Sequence, residues 1–355
     1  MLSYHPLVLT RRSPIAEDAC CLEFEPPTGE AGAFAAFEAG QHLPVRATVQ
    51  GRELRRTYSL VSPAGGPLRI GVRVQGAMSR YLAESLPIGG VLESMTPTGR
   101  FRRTVEPARH GRYLALAAGS GITPVLSIVT TILEREPHSR VVLLYGNRTL
   151  ARSMFVEEIL ALKNRHLRRF TAQFLMSREP QDVELFNGRL DAPRLRTLAE
   201  SEFDPREFDE IFVCGPGSMV REASSVLKDL GATGKIHLER FTAESGASRE
   251  RDEGDAGAAA AREGTEAVVT MDGRRRSFGI AEGQTVLEAA EAAGLALPFS
   301  CRAGVCSTCR AKLLSGSVTM ERNQALEDWE VAAGFVLCCQ SRPTSAKIEI
   351  SYDEK

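Results

Sequence analysis

Four of the eight cysteines in this 355-residue chain constrain its fold more than any other residues. Three lie in Cys301-Arg302-Ala303-Gly304-Val305-Cys306-Ser307-Thr308-Cys309, and a fourth, Cys339, follows in Val336-Leu337-Cys338-Cys339-Gln340. C-x4-C-x2-C with a distant cysteine is the plant-type spacing for a [2Fe–2S] cluster. Four thiolates hold two irons. One short loop must therefore present three sulfurs from one side, while a remote strand end supplies the fourth. The small residues Ala303, Gly304, Ser307 and Thr308 let backbone N–H groups approach those sulfurs. A disulfide framework would suit a small secreted domain, but the N-terminus has no signal-peptide pattern. A zinc ribbon would pair two C-x2-C units, and only one is present. The expected metal ligands are Cys301, Cys306, Cys309 and Cys339. Such a cluster moves one electron at a time, so the rest of the chain must supply the electrons.

The length allows two or three domains. A net charge of −1 gives no basic surplus, which argues against nucleic acid as a partner. No apolar run reaches membrane-spanning length, and a cytoplasmic location is expected. Residues 1–110 read as β, with short runs at 7–9, 19–24, 43–49 and 68–74 between turn residues. They predict a closed antiparallel β-barrel, interrupted by one helix over 79–86. Residues 111–243 alternate strand and helix. Strands are expected at 113–118, 141–145, 171–176, 211–214 and 236–239, in an α/β doubly wound parallel sheet. Residues 244–264 are small and charged, which predicts a mobile linker; the alanines leave a solvent-exposed helix open. Residues 265–355 begin with a hairpin at Asp272-Gly273 and a helix over 285–293.

Arg56-Thr57-Tyr58-Ser59 ends a barrel strand and offers a cation, an aromatic ring and a hydroxyl. These would suit a flavin nucleotide: Arg56 on a phosphate, Tyr58 on the isoalloxazine ring, Ser59 on a ring nitrogen. Gly76-Ala77-Met78-Ser79 opens a helix and offers backbone N–H groups to a pyrophosphate. Gly119-Ser120-Gly121-Ile122-Thr123-Pro124 joins a strand to a helix, as phosphate-binding loops do. It lacks the third glycine of the dinucleotide fingerprint, so a plain tight turn remains open. Cys214-Gly215-Pro216-Gly217 also joins strand to helix, and both loops belong at the carboxyl edge of a parallel sheet. Ser177-Arg178 follows the third strand of that sheet, where the adenine ribose would lie. An arginine beside a hydroxyl there favours NADPH over NADH, unless Glu179 cancels a merely solvated Arg178.

These motifs, in this order, together with Tyr145-Gly146-Asn147-Arg148 and His237-Leu238-Glu239-Arg240-Phe241, resemble the ferredoxin–NADP reductase family. The cysteine motif resembles plant-type ferredoxin. The resemblance implies a multidomain chain: an FAD-binding β-barrel over 1–110, an NAD(P)H-binding domain over 111–243 and, after the linker, an α+β ferredoxin-like β-grasp domain over 265–355. It implies that Arg56, Tyr58 and Ser59 hold FAD, with Gly76 and Ser79 near its pyrophosphate. Gly119, Gly121, Thr123 and Gly215 would contact the nicotinamide nucleotide, and Cys214 would sit near its reacting carbon. Phe241 would cover the flavin face opposite Tyr58, unless it is simply a core aromatic. Cys338 departs from relatives, which carry a small residue there; the position before Gln340 keeps Cys339 as the ligand. The implied activity is transfer of electrons from NAD(P)H through FAD and the cluster to an oxygenase component. A redox sensor that passes no electrons onward is the alternative, though the intact Tyr58 motif and cysteines do not favour it. Ala118-Gly119-Ser120-Gly121-Ile122-Thr123-Pro124, Tyr145-Gly146-Asn147-Arg148, and Ala325-Leu326-Glu327 before Gly334-Phe335-Val336-Leu337 most resemble reductases that serve an epoxidase; the docking surface carries no motif, so an aromatic-ring dioxygenase or another hydroxylase stays open as the partner.

Overall fold

The computed structural model describes residues 4–27, 29, 31–241 and 264–354, so all of the expected linker but Gly264 lies outside the described residues. The described residues divide into two compact units, a larger one of residues 5–241 and a smaller one of residue 4 with residues 264–354.

The larger unit begins with β1 (His5–Ala16), β2 (Ala19–Glu25), β3 (His42–Val49), β4 (Arg52–Ser59), β5 (Leu68–Arg73) and β6 (Val91–Ser94). They form an antiparallel sheet in the order β4-β3-β6-β1-β2-β5. Just past β4, Leu60 bridges Ile70 and the Val61 N–H donates to the Arg69 carbonyl at 2.9 Å, so the two edges meet and the sheet closes as a barrel. Alternation drives this: Leu7 and Leu9 of β1, and Leu68, Ile70 and Val72 of β5, point into one apolar cluster with Leu22, Phe24, Leu43 and Val45. β4 is the strand that Arg56-Thr57-Tyr58-Ser59 is expected to end; it is mostly half-buried, so no apolar alternation marks where it starts. β6, only four residues long, gave no sequence signal. The helix expected over 79–86 starts earlier, as α-helix at Ala77–Arg80, and continues as a wider π-helical turn at Tyr81–Ser85.

The second half of this unit holds β7 (Arg112–Ala118), β8 (Arg140–Asn147), β9 (Phe170–Met176), β10 (Glu210–Pro216) and β11 (Lys235–Phe241). All pair in parallel, in the order β11-β10-β7-β8-β9. Helices at Ile122–Arg135 and Val156–Arg165 pack one face, and helices at Ala192–Ser201 and Gly217–Asp229 the other. Covered on both faces, the strands are nearly all apolar. The helix at Ala192–Ser201 was not read from sequence; Asp191 starts it by accepting from the Arg194 N–H at 3.1 Å. Strand order reverses between β7 and β10, which opens a crevice at their carboxyl ends.

Barrel and sheet share one core. Ala19, Cys21, Val61 and Phe101 join Ile122, Val125, Ile128 and Phe155 in a single apolar cluster. A Cβ on Gly71 of β5 would lie 2.7 Å from Thr123 Cγ2 and 2.8 Å from Phe155 Cε2. Asp18, in the β1–β2 turn, pairs with both Arg73 and Arg152. Buried Arg103 pairs with Glu136 at 3.2 Å and with Glu210 at 3.0 Å. The architecture changes near residue 110 inside one compact unit.

The smaller unit has a five-stranded sheet built from β12 (Thr265–Met271), β13 (Arg274–Ile280), β14 (Arg310–Ser315), β16 (Phe335–Leu337) and β18 (Lys347–Ser351). Their order is β13-β12-β18-β14-β16, with β12 and β18 parallel and the other pairs antiparallel. β15 (Val318–Met320) and β17 (Ser341–Pro343) form a separate pair. The helix at Val286–Ala292 lies across the sheet and buries Val286, Leu287, Ala289 and Ala290. The expected hairpin is present: Asp272 and Gly273 take φ of 52° and 69° while Met271 pairs with Arg274, a two-residue turn with both centres left-handed. Among the described residues no helix is long and apolar enough to cross a membrane.

Candidate functional site

β7 runs into Gly119-Ser120-Gly121, and β10 ends at Cys214-Gly215-Pro216. The two loops touch. A Cβ on Gly121 would lie 2.3 Å from the Cys214 carbonyl oxygen and 2.9 Å from the Gly215 nitrogen, so only glycine allows this approach. Gly119 sits at φ 55°. The buried Tyr145 hydroxyl donates to the Gly119 carbonyl at 3.0 Å and accepts from the Met154 N–H at 3.1 Å, which fixes the first loop to the one after β8. The Thr123 hydroxyl donates to the Ser120 carbonyl at 2.9 Å, so it shapes the turn.

A cavity of about 710 Å³ occupies this crevice; Gly119, Gly215, Phe241, Ser177 and Arg178 are among its walls. That volume is within the range of small-molecule and cofactor pockets. The β8–β9 ladder continues past both strands: Ser177 N–H donates to the Asn147 carbonyl at 2.9 Å and Arg178 N–H to the Arg148 carbonyl at 2.8 Å. Arg148 and Arg189 line the same cavity. The Glu179 carboxylate instead accepts from the Leu150 N–H at 2.7 Å. Phe241 ends β11 opposite Pro216, half-buried at the cavity wall.

On the barrel, Arg56 and Tyr58 are half-buried, while Ser59 is buried and pairs in register with His42. Ser79 does not point to an open site. Its oxygen accepts from the Gln75 and Gly76 N–H groups, each at 2.9 Å, and it donates to the Gly76 carbonyl. It thereby sets the turn from which the first N–H groups of the following helix project, groups that have no partner within a helix. A guanidinium, a ring, a hydroxyl and a helix start are a donor set that fits a flavin dinucleotide.

The sequence reading assigned no role to two residues beside Cys214. The buried Cys214 thiol donates to Glu239 Oε2 at 3.9 Å, and Glu239 Oε1 lies 3.9 Å from His42 Nδ1. Burial pushes the Glu239 carboxyl up to about 8 and pulls His42 down to about 4. Both are therefore neutral near pH 7, with a proton held on the carboxyl. Burial, with Glu239 adding to it, raises Cys214 well above the usual thiol range, so it remains a thiol. The His42 Nε2 atom is buried without a partner. His42 gave no sequence signal because a lone histidine in an apolar strand has no spacing to recognise.

In the smaller unit the cysteines act on one another as two pairs, Cys301 with Cys306 and Cys309 with Cys339. The Cys306 thiol, helped by the N–H groups of Ala303, Val305 and Cys306, draws Cys301 down to about 6 against burial. Cys339 is lowered chiefly by Cys309, with the Gly304 N–H and Gln340 adding to it. Arg302, Gly304 and Ser307 all have positive φ, at 51°, 72° and 51°, which curls the loop around the sulfurs. A Cβ on Gly304 would come within 2.7 Å of the Arg322 carbonyl oxygen. Among the described residues no three His, Cys, Asp or Glu side chains converge as a site for one metal ion. Two sulfur pairs suit two irons. The hydroxyls of Ser300, Thr308 and Tyr352, all in this unit, are buried without partners. Such groups suit added sulfur acceptors, and the arrangement fits a [2Fe–2S] cluster. Cys338 belongs to the core instead: its N–H donates to the Cys309 carbonyl, its carbonyl accepts from the Leu287 N–H, and burial pushes its thiol up to about 12.

Family comparison matches an oxidoreductase FAD-binding domain over residues 6–102, an oxidoreductase NAD-binding domain over 115–225 and a 2Fe-2S iron-sulfur cluster binding domain over 269–344. The chain is 39% identical over 360 residues to a component of the 1,2-phenylacetyl-CoA epoxidase of Escherichia coli (strain K12), covering 100% of this chain and 99% of that protein. It is 32% identical over 328 residues to the ferredoxin reductase component of 3-ketosteroid-9-alpha-monooxygenase from Mycobacterium tuberculosis (strain CDC 1551 / Oshkosh), covering 90% and 86%. Among solved structures, phthalate dioxygenase reductase superposes with a TM-score of 0.57 at 23% identity over 98% of both chains, which shows the shared fold. The chain belongs to the ferredoxin–NADP reductase family, in the branch of oxygenase reductases that carry FAD-binding, NAD-binding and C-terminal [2Fe–2S] domains.

Proposed function

We propose that this reductase supplies electrons to a phenylacetyl-CoA epoxidase in the cytoplasm, during aerobic use of phenylacetate, with NADPH as the donor. The observation that carries the reading is end-to-end likeness, at 39% identity, to the corresponding E. coli protein.

When bound, the groups would supply the redox chemistry: hydride donation by nicotinamide, division of the electron pair at the flavin and single-electron transfer by the cluster. The chain positions them. Arg56, Tyr58 and Ser59 hold the flavin, with Gly76 and Ser79 setting the turn at its pyrophosphate. Gly119, Gly121 and Gly215 allow the nicotinamide nucleotide close to the backbone, and Thr123 keeps their loop folded. Cys214 closes the buried wall beside the reacting nicotinamide carbon without acting as a nucleophile. Glu239 holds a proton there, and Phe241, at the cavity wall, would cover the flavin and make way for the nucleotide. Cys301, Cys306, Cys309 and Cys339 hold the irons. At the adenine end Ser177 and Arg178 take the 2′-phosphate of NADPH, a reading strengthened by Arg148 and Arg189 on the same wall and by Glu179 being engaged with Leu150.

The test is reconstitution. The holoprotein, NADPH, phenylacetyl-CoA and a purified epoxidase oxygenase component should form the ring epoxide at a rate that saturates with reductase. Efficient NADPH-driven cytochrome c reduction without epoxide formation, alongside turnover with an aromatic-ring dioxygenase, would reject the epoxidase as partner.

A further inference from the structure

Asp18 lies in the turn between β1 and β2, outside every motif read from the sequence. Its carboxylate joins two cations from distant parts of the larger unit. Oδ1 accepts from Arg73 Nη1, and Oδ2 accepts from Arg152 Nη2. Arg73 Nη2 also donates to the Arg152 carbonyl at 2.7 Å. The backbone holds the turn on both sides: the Glu17 N–H donates to the Ala151 carbonyl and the Val74 N–H to the Asp18 carbonyl, each at 2.9 Å. Arg73 ends β5 of the barrel, and Arg152 lies in the loop after β8. Both line the cavity that holds Gly119 and Arg178 in its walls.

A guanidinium has five N–H donors. Asp18 takes one from each arginine, so both groups keep donors for an anion. Their place in the cavity says which anion. The strand order runs β10-β7-β8-β9. In the nucleotide reading above, the nicotinamide sits at the loops after β7 and β10, and the adenine ribose sits after β9. The diphosphate that joins them crosses the end of β8, beside the loop that carries Arg152. We propose that Asp18 is a positioning residue for nucleotide binding, which holds Arg73 and Arg152 as a paired-guanidinium clamp for the diphosphate. The inference rests on that nucleotide reading. A free arginine side chain loses rotamer entropy when it meets an anion, and a carboxylate that already fixes it removes much of that cost. Barrel and sheet give one cation each, so the clamp exists only while the two are docked.

Asp18 is itself an anion, and this separates the proposal from a bystander role. Asp18→Asn keeps the shape and removes the charge. For a bystander, losing a negative charge beside the site would tighten a phosphate ligand. The clamp predicts the reverse. NADP+ and NAD+ are titrated by calorimetry into the oxidised, full-length holoprotein. Asp18→Asn should raise Kd about tenfold, the equivalent of one charge-assisted hydrogen bond at the low end of its range. The rise should be alike for both nucleotides, because both carry the diphosphate. An unchanged or lowered Kd would overturn the inference. So would weakening confined to NADP+, which would place the pair at the 2′-phosphate. If Asp18→Asn does not retain FAD, Arg152→Gln leaves the Asp18–Arg73 pair intact and serves in its place. A similar rise for both nucleotides then supports the clamp, and an unchanged Kd rejects it. Wild-type holoprotein that binds neither nucleotide would instead overturn the nucleotide reading of the cavity.

Discussion

Gly121 and Arg178 show how differently two single residues act on one cavity. Gly121 acts through exclusion. Any side chain there meets the backbone of Cys214 and Gly215, which cannot rotate away, so the two nucleotide loops must separate. Gly119 has open space around its Cα and only a positive φ to satisfy. We expect Gly121→Ala to cost about 1–3 kcal/mol as overpacking, and to raise KM for the nicotinamide nucleotide. Gly119→Ala should cost only about 1–2 kcal/mol through its left-handed backbone, with a smaller effect on KM. Urea unfolding and steady-state kinetics on both variants check the order; equal KM values would show that the loop contact does not shape the site. Arg178 acts through charge. A charge-assisted hydrogen bond contributes about 1.5–3 kcal/mol, but Arg178 is exposed, so the lower end applies. At about 1.4 kcal/mol per tenfold, NADPH should exceed NADH by roughly tenfold in kcat/KM. Arg178→Ala should erase most of that difference and leave NADH turnover nearly unchanged. Comparable losses with both nucleotides would refute the assignment.

At the scale of elements, the helix at Val286–Ala292 links local sequence to the cysteine site. Thr285 Oγ1 accepts from the Glu288 N–H at 3.2 Å, and the Glu288 carboxylate accepts from the Thr285 N–H at 2.9 Å, a reciprocal cap. One turn in, the Leu287 N–H donates to the Cys338 carbonyl, beside Cys339. Loss of the cap should therefore loosen the support of the fourth sulfur. Thr285→Ala is expected to cost about 1 kcal/mol and to bleach the cluster's visible absorption at a lower temperature; an unshifted bleaching midpoint would separate the cap from cluster retention. The hairpin, the helix over 285–293 and the cysteine loop were all legible in sequence because each is specified within ten residues. β6 and the helix at Ala192–Ser201 were not. The first is only four residues long, and its place is decided by pairing with β1 and β3; the second needs the apolar face of the parallel sheet before its own pattern has meaning.

At the scale of the whole molecule, the larger unit depends on contacts between its barrel and its parallel sheet. Asp18 is central to them: it pairs with Arg73 of the barrel and with Arg152 from the loop after β8, its side chain only 20% exposed. Asp18→Ala leaves two guanidinium groups unbalanced. With partial solvent access the cost should be about 2 kcal/mol, which for a unit of this size lowers Tm by about 4–8 °C. Release of flavin fluorescence on heating reads this out, and an unchanged release temperature would show that the triad contributes nothing measurable.

What the sequence determined by itself follows from the same physics. Strand and helix order, the glycine loops, the hairpin and the cysteine spacing are local, set by sterics and by chain reach over a few residues. The barrel's closure between Leu60 and Ile70, and the encounter of Cys214 with Glu239 and His42, join residues far apart in the chain. No local preference encodes such meetings. They exist because burying the apolar faces of each sheet leaves one way to pack them, and that packing decides which polar groups are shut away from water together.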